Sequence, residues 1–336
     1  MTRIFYDEDV PAGALEGETV AVIGYGTQGR AQALTLRDSG VTVVVGNRLD
    51  QYSHQAKQDG FAVHDIPEAV SRATIINFLI PDELQPRVFN EQIAPHLAPG
   101  AAIVFAHGFA VHYNLLELPQ RLDSLLLAPR MPGVYLRGRY LDGWGVPAFV
   151  AVGRDTTGKA WTRLLGLAGA LGITRCAAIE TTFAEETELD LFSEQAIQPL
   201  FFRALTTAFE TLVEAGFPPE LALMDLHGSG ELSQLLEGAA EEGLFDMIES
   251  YATPACKVGI AREWDQAAGP PEELRDRMRA RLRQIREGGF ARYLVEEEGK
   301  GYPALDAWRE KRPESMQKAE RDLRRWLRGP TGSRYA

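Results

Sequence analysis

Along the first half of the chain, short runs of aliphatic and β-branched residues alternate with segments whose apolar positions recur at helical spacing. "TVAVIG" (19–24), "VTVVVG" (41–46), "ATIINFLI" (73–80) and "AAIVFAHG" (101–108) have the continuous apolar character of buried strands. Helical patterns lie between them, over 28–39, 53–60, 66–72 and 84–94, and "SLLLAPR" (124–130) and "VPAFVAVG" (146–153) add further strands. Strands that are apolar on both faces and alternate with helices predict a parallel sheet covered on both sides. After residue 180 the strand pattern fades. The segment 186–216 reads as one long helix ended by Gly216 and Pro218, and helical patterns follow over 219–227, 231–249, 271–287 and 314–327. The expected organisation is an α/β domain over 1–180 and an all-helical domain over 181–330.

Composition narrows the class. A chain of 336 residues accommodates two domains, with a domain taken as ~150 residues. Hydrophobic residues make up 45% and charged residues 24%, an ordinary globular balance that leaves no case for disorder. The net charge of −12 argues against a nucleic-acid partner, because it repels phosphate. Only Cys176 and Cys256 occur, which fits a reducing cytoplasm and excludes a disulfide framework or a cysteine-rich zinc site. The N-terminal "MTRIFYDEDV" has no apolar secretory core, and no apolar run approaches the ~20 residues that span a bilayer. A cytoplasmic, soluble protein with no membrane partner is expected. The basic run 275–286 reads as a solvated helix face.

"GYGTQG" then places Gly24, Gly26 and Gly29 between a strand and a helix, with Tyr25, Thr27 and Gln28 in the same turn. Gly24 permits the tight turn, Gly26 lets a pyrophosphate approach the backbone, and Gly29 permits close helix–strand packing; the helix N-terminus favours the anion. A dinucleotide site is expected here. NAD-specific sites usually carry an acid at the end of the second strand; this chain has "GNRLDQYSH" (46–54). Arg48 and Ser53 suit the 2′-phosphate of NADPH, whereas Asp50 would repel it, so NADPH is favoured with NADH possible.

Two further features carry chemistry. Asp190 and Glu194 in "ELDLFSEQ" are four residues apart and so share a helix face in apolar surroundings, a spacing that suits Mg²⁺. The acids at 185, 186 and 188 suit a helix N-terminus. His107 in "FAHGF" follows the strand 101–108 at its C-terminal end, where ligands bind in open α/β sheets.

Taken together, "VIGYGTQGRAQALTLRDSGV", "LIPDELQP", "FAHGF", "APRMPG", "IETTFAEETELDLFSEQA", "FETLVEAGF" and "IREGGFARYLVEE" resemble the short form of ketol-acid reductoisomerase, over nearly the whole chain. The resemblance implies a Rossmann-type domain followed by a helical domain that intertwines, knot-like, in a homodimer with the active site completed across the interface, and leaves higher oligomers open. It implies NADPH and two Mg²⁺ ions, an alkyl shift within a 2-hydroxy-2-alkyl-3-keto acid, and reduction to a 2,3-dihydroxy acid. Gly24, Gly26, Gly29, Arg48 and Ser53 match the implied cofactor site, with Pro81 and Asp82 of "LIPDELQP" added to it. His107, Pro132 and Gly133 match the catalytic loops, and His107 and Gly133 count among the cofactor contacts too. Asp190 and Glu194 match metal carboxylates, Asp190 bridging both ions.

Elsewhere the chain departs from the family pattern. The family lysine is Arg130, which is planar and permanently charged. The first acid of the family's Glu-x-x-x-Glu pair is Asp225; the second falls on Ser229 without a gap, or on Glu231 after a two-residue insertion. The family serine that binds the substrate carboxylate falls on Ala252, two positions from Ser250. With the second-metal half altered, the leading expectation is an NAD(P)H-dependent reductase of a small 2-keto acid or related imine, its alkyl-shift step impaired. Asp190 and Glu194 with one Mg²⁺, and His107 or Arg130, would be its catalytic groups. The alternatives are an authentic ketol-acid reductoisomerase of valine and isoleucine synthesis, converting 2-acetolactate to 2,3-dihydroxyisovalerate with Asp225 and Glu231 holding the second ion, and a cofactor-binding pseudoenzyme.

Overall fold

The computed structural model of the chain describes residues 2–328. Nine strands form one sheet: β1 (Ile4–Phe5), β2 (Thr19–Ile23), β3 (Thr42–Gly46), β4 (Val63–His64), β5 (Ile75–Phe78), β6 (Ala102–Phe105), β7 (Asp123–Pro129), β8 (Ala148–Arg154) and β9 (Ala178–Glu180), in the order β1-β9-β8-β7-β6-β5-β2-β3-β4. The six strands expected from the sequence all form. The two- and three-residue strands β1, β4 and β9 were missed, being too short to carry a pattern.

The central block is parallel, as the unbroken apolar runs require: Val20, Ala21, Val22 and Ile23 are all fully buried, and β2 pairs in parallel with both β3 and β5. The sheet as a whole is mixed, however. β8 runs antiparallel to β7, and β1 antiparallel to β9. The reason lies in the connection after β7. Its helix Gly133–Leu141 packs against the helix α1 (Thr27–Asp38), so the chain returns beside β7 in the opposite sense. Separate apolar clusters line the two faces of the sheet, one centred on Val22, Leu125 and Leu164, the other on Ile76, Phe105 and Phe183.

The chain divides into two compact units, residues up to Asp190 and residues from Leu191. This is ten residues beyond the boundary at 180 read from the sequence. The helix Phe183–Phe192 starts within the first unit, where Phe183 joins the core of one sheet face and Gly108 donates to Glu186. The expected long helix is interrupted by a π turn over Ser193–Ile197 before continuing as Gln198–Glu214. Pro199 accounts for it: proline cannot donate to the carbonyl four residues back, and its ring clashes with that carbonyl. Gly216 then takes a left-handed φ of +93° and ends the run.

The second unit is helical among its described residues. Its small core gathers Phe209, Ala222, Leu223, Ala319 and Leu323. The segment expected as a helix over 219–227 is a short α-helix, Pro219–Leu223, followed by a π turn, Met224–Gly228. The span 231–249 is two helices, Glu231–Glu242 and Leu244–Tyr251, divided at Gly243, whose φ is +101°. Helices over Pro254–Glu263, Gly289–Gly299 and Pro303–Glu310 were not anticipated. No helix among the described residues is long and apolar enough to cross a membrane.

Candidate active site

The order of strands reverses at β2, which lies between β3 and β5, and this is where the glycine turn sits. Gly24 has φ +93°, and a Cβ there would stand 2.8 Å from the Leu79 carbonyl oxygen. A Cβ on Gly29 would lie 1.9 Å from the Gly24 carbonyl oxygen, whereas one on Gly26 would meet nothing within 4 Å. Packing therefore demands the first and third glycines, and the second leaves the backbone open to a ligand. Gly26 begins α1 without a side-chain cap, so the positive end of this helix is available to an anion. Two crevices, of about 460 and 440 Å³, border the turn. Thr27 and Gly133 line the first, Gly24, Arg48 and Pro81 line the second, and Tyr25 and Gly26 line both. The residues present fit a dinucleotide.

Tyr25 is a structural member of this turn. Its ring is buried, its hydroxyl donates to Asp59 at 3.0 Å and its backbone N–H donates to Asn47 at 3.2 Å. Gln28 ties the turn to the loop after β7 by donating to the Met131 carbonyl at 2.9 Å. Gly133 completes that join, since a Cβ there would stand 2.3 Å from the Thr27 carbonyl oxygen.

The expectation for the 2′-phosphate needs correction at Ser53. That residue is 1% exposed, and its hydroxyl is engaged within the start of the helix α2 (Gln51–Gln58), donating to the Asp50 carbonyl and accepting from the Asp50 N–H. Asp50 is the N-cap, accepting the backbone N–H groups of Tyr52 and Ser53, and it also holds Arg48 Nε at 2.8 Å. Burial alone would raise the Asp50 carboxyl, but Arg48 and these backbone donors hold it below its ordinary value. It faces the second crevice as an anion, with Arg48 beside it.

At the C-terminal ends of β5, β6 and β7 a polar cluster forms. His107 Nδ1 lies 2.6 Å from Asp82 Oδ2, and its Nε2 faces Asp190 Oδ2 at 3.7 Å with no hydrogen-bond partner. Arg130 NH1 donates to Glu186 Oε1 at 3.1 Å, and NH2 donates to Asp190 Oδ1. The other Glu186 oxygen accepts the Gly108 N–H at 2.7 Å. Burial alone would lower the His107 pKa, but the Asp82 hydrogen bond and the carboxylates of Asp82, Glu186 and Asp190 push it up to about 9, so the ring is imidazolium at neutral pH. Burial pushes the Glu186 carboxyl above its ordinary range, against the pull of His107, Gly108 and Arg130.

Of the expected catalytic residues, His107, Arg130 and Asp190 thus come together. Glu194 belongs to the second unit, where it lies exposed in the π turn. Asp225 and Glu231 are also exposed there, Asp225 in the second π turn and Glu231 opening the next helix after Gly230 at φ +91°. Glu186 was missed as a site residue, although its four-residue spacing from Asp190 was the same signal that singled out Glu194.

His107, Glu186 and Asp190 bring ligand atoms within 4.8 Å of one another, a geometry that could enclose a cation. Three of the four oxygens on the two carboxylates, though, already accept N–H donors, two of them from a guanidinium. With Arg130 so placed, the cluster does not fit Mg²⁺.

A nucleotide crevice at the sheet's switch point, with an imidazolium and a guanidinium at the C-terminal ends of strands in the same sheet, defines a dinucleotide-dependent oxidoreductase carrying a helical second unit. Residues 14–177 match the family model of the acetohydroxy acid isomeroreductase NADPH-binding domain, and residues 183–328 that of the ketol-acid reductoisomerase C-terminal domain. The ketol-acid reductoisomerase (NADP(+)) of Methanocaldococcus jannaschii is 42% identical over 328 residues, covering 97% of this chain and 98% of the relative. That of Caldivirga maquilingensis is 39% identical over 333 residues, covering 98% and 99%. The solved NADH-preferring ketol-acid reductoisomerase from an uncultured archean superposes with a TM-score of 0.91 at 35% identity, covering 96% of this chain and 98% of that one. The chain belongs to the ketol-acid reductoisomerase family.

Proposed function

We propose that this member of the family is an NAD(P)H-dependent reductase of a small 2-keto acid or related imine, in which reduction outlasts the alkyl shift. The observation that carries the reading is Arg130, bound to both Glu186 and Asp190 where the family pattern calls for a lysine. The alkyl shift needs an ionised tertiary hydroxyl and a strongly polarised carbonyl, the work of two Lewis-acidic ions. Reduction needs less: a nicotinamide over the reacting carbon and one group to stabilise and protonate the developing alkoxide.

A bound reduced nicotinamide supplies the hydride. The chain's own groups do the rest. The glycine turn and α1 hold the pyrophosphate. Arg130 attracts the carbonyl oxygen as the C=O π pair moves onto it, and His107 Nε2 delivers the proton that completes the alcohol. Asp82 keeps the imidazole oriented through Nδ1. The balance is one carbonyl, one NAD(P)H and one proton giving one alcohol and one NAD(P)⁺. The NADPH-binding family model and the NADP(+) relatives favour NADPH as donor, while Asp50 leaves NADH acceptable.

A homodimer with the active site completed between subunits accompanies this reading. The exposed Phe202, Phe217, Leu244, Phe245 and Trp264 of the helical unit support a second copy as its cover. Exposed free thiols at Cys176 and Cys256 fit a reducing, cytoplasmic setting.

The second reading, an authentic ketol-acid reductoisomerase, is favoured by identity that extends over nearly the whole length of the relatives. NADPH oxidation measured separately with 2-acetolactate and with 3-hydroxy-3-methyl-2-oxobutanoate separates the two. Turnover of the second compound alone is expected. Efficient turnover of 2-acetolactate would overturn the reductase reading.

A further inference from the structure

We infer that the Arg130 guanidinium takes, as a fixed part of the protein, the place beside Glu186 and Asp190 that a divalent cation would otherwise occupy, and that its free edge receives the substrate oxygen. The first half stands on geometry alone; the second rests on the reductase reading.

Arg130 is held from several sides. Its backbone N–H donates to the Pro147 carbonyl at 2.9 Å, its guanidinium lies 5.1 Å from the centre of the Phe149 ring, and two of its nitrogens donate to Glu186 and Asp190. Glu186 is fully buried and has its remaining oxygen on the Gly108 N–H, so it cannot turn toward another cation without losing a donor, and the second Asp190 oxygen faces His107 Nε2 at 3.7 Å. Lysine could swing away or shed its proton; arginine keeps its charge at any physiological pH. A divalent ion at the same oxygens would sit against that permanent positive charge.

A guanidinium has five N–H donors in a planar fork, so two ion-pair contacts leave donors over. The side chain is 28% exposed, which gives those donors an open side. His107 Nε2 is buried, unpartnered and faces the other oxygen of the same Asp190 carboxylate. Arg130 and His107 therefore approach Asp190 from its two oxygens, and an oxygen-bearing substrate entering between them would satisfy both.

The test is Mn²⁺ binding to the full-length protein, followed by electron paramagnetic resonance, for wild type, Arg130→Ala, Asp190→Asn and the double variant. The expected result is no Asp190-dependent Mn²⁺ site in wild type up to about 1 mM. Arg130→Ala should gain one, tightening binding at least ~10-fold, and Asp190→Asn should remove it again. A wild-type site lost in Asp190→Asn overturns the inference even if Arg130→Ala fails to fold. Absence of binding in a folded Arg130→Ala overturns it as well, because the guanidinium would then exclude nothing. No turnover is needed for these readings. NADPH oxidation in EDTA is the separate arm: loss of reduction there with no Mn²⁺ site would sink the substrate role and leave the cation replacement standing.

Discussion

Raising the pH should unlatch His107 from Asp82, and the size of the effect follows from the structure. Near neutral pH the folded protein carries His107 as imidazolium, with a pKa of about 9 against an ordinary value of 6.5. A folded pKa above the unfolded one means that folding takes up the proton more tightly. The stabilisation is fully present below pH 6.5, declines as pH rises and is gone above about 9. The difference of roughly 2.5 pH units, at about 1.4 kcal/mol each, comes to about 3.5 kcal/mol, of which about 3 is lost between pH 6 and 10. The side chain is only 19% exposed, so solvent screening takes little from this. Urea unfolding of wild type and His107→Gln, in EDTA and across pH 6 to 10, measures it. The stability difference between the two should shrink by about 3 kcal/mol over that range with an unchanged denaturant slope. A difference that does not vary with pH would refute the argument, because an imidazole that is neutral throughout contributes no such term.

Gly133→Ala should push the helix Gly133–Leu141 off Thr27 by roughly 1 Å, since the new Cβ starts 2.3 Å from that carbonyl oxygen. Dinucleotide affinity, measured by calorimetry, should fall about tenfold or more while the protein remains folded. Asp50→Asn keeps the helix cap but removes the negative charge from the second crevice, so the ratio of NADPH to NADH efficiency should rise about tenfold. An unchanged ratio would remove Asp50 from cofactor selection. Phe209→Ala empties the small core of the helical unit and should cost about 3–5 kcal/mol there, read as faster hydrogen exchange over Pro219–Leu223 and Glu314–Arg328.

The alternation of apolar strands with helices was legible because a parallel sheet buries both faces, and the glycine turn because its steric demands admit few residues. His107 was legible from its place after β6. What escaped were contacts between residues far apart in sequence. Glu186 looked like a helix-end acid until burial against Gly108 set it apart. Ser53 looked like a phosphate ligand because nothing in "LDQYSH" shows that its hydroxyl closes a capping box with Asp50. The same-face argument for Asp190 and Glu194 assumed an unbroken α-helix, and nothing in the sequence showed that a π turn begins at Ser193. Arg130 was marked as a departure, but only the fold shows which carboxylates it holds.

The π turn at Met224–Gly228, with the left-handed Gly230 behind it, has a consequence for how this chain can change. It absorbs length without opening a long loop: Gly228 fits where a Cβ would stand 2.4 Å from Leu323, and a regular helix resumes at Glu231. Asp225 and Glu231 are six positions apart, and the loss of two residues between them would bring that spacing to four, the interval of the family's acid pair. Within this segment, one two-residue deletion therefore separates the chain from the spacing of the family's acid pair, which makes it a direct target for re-engineering.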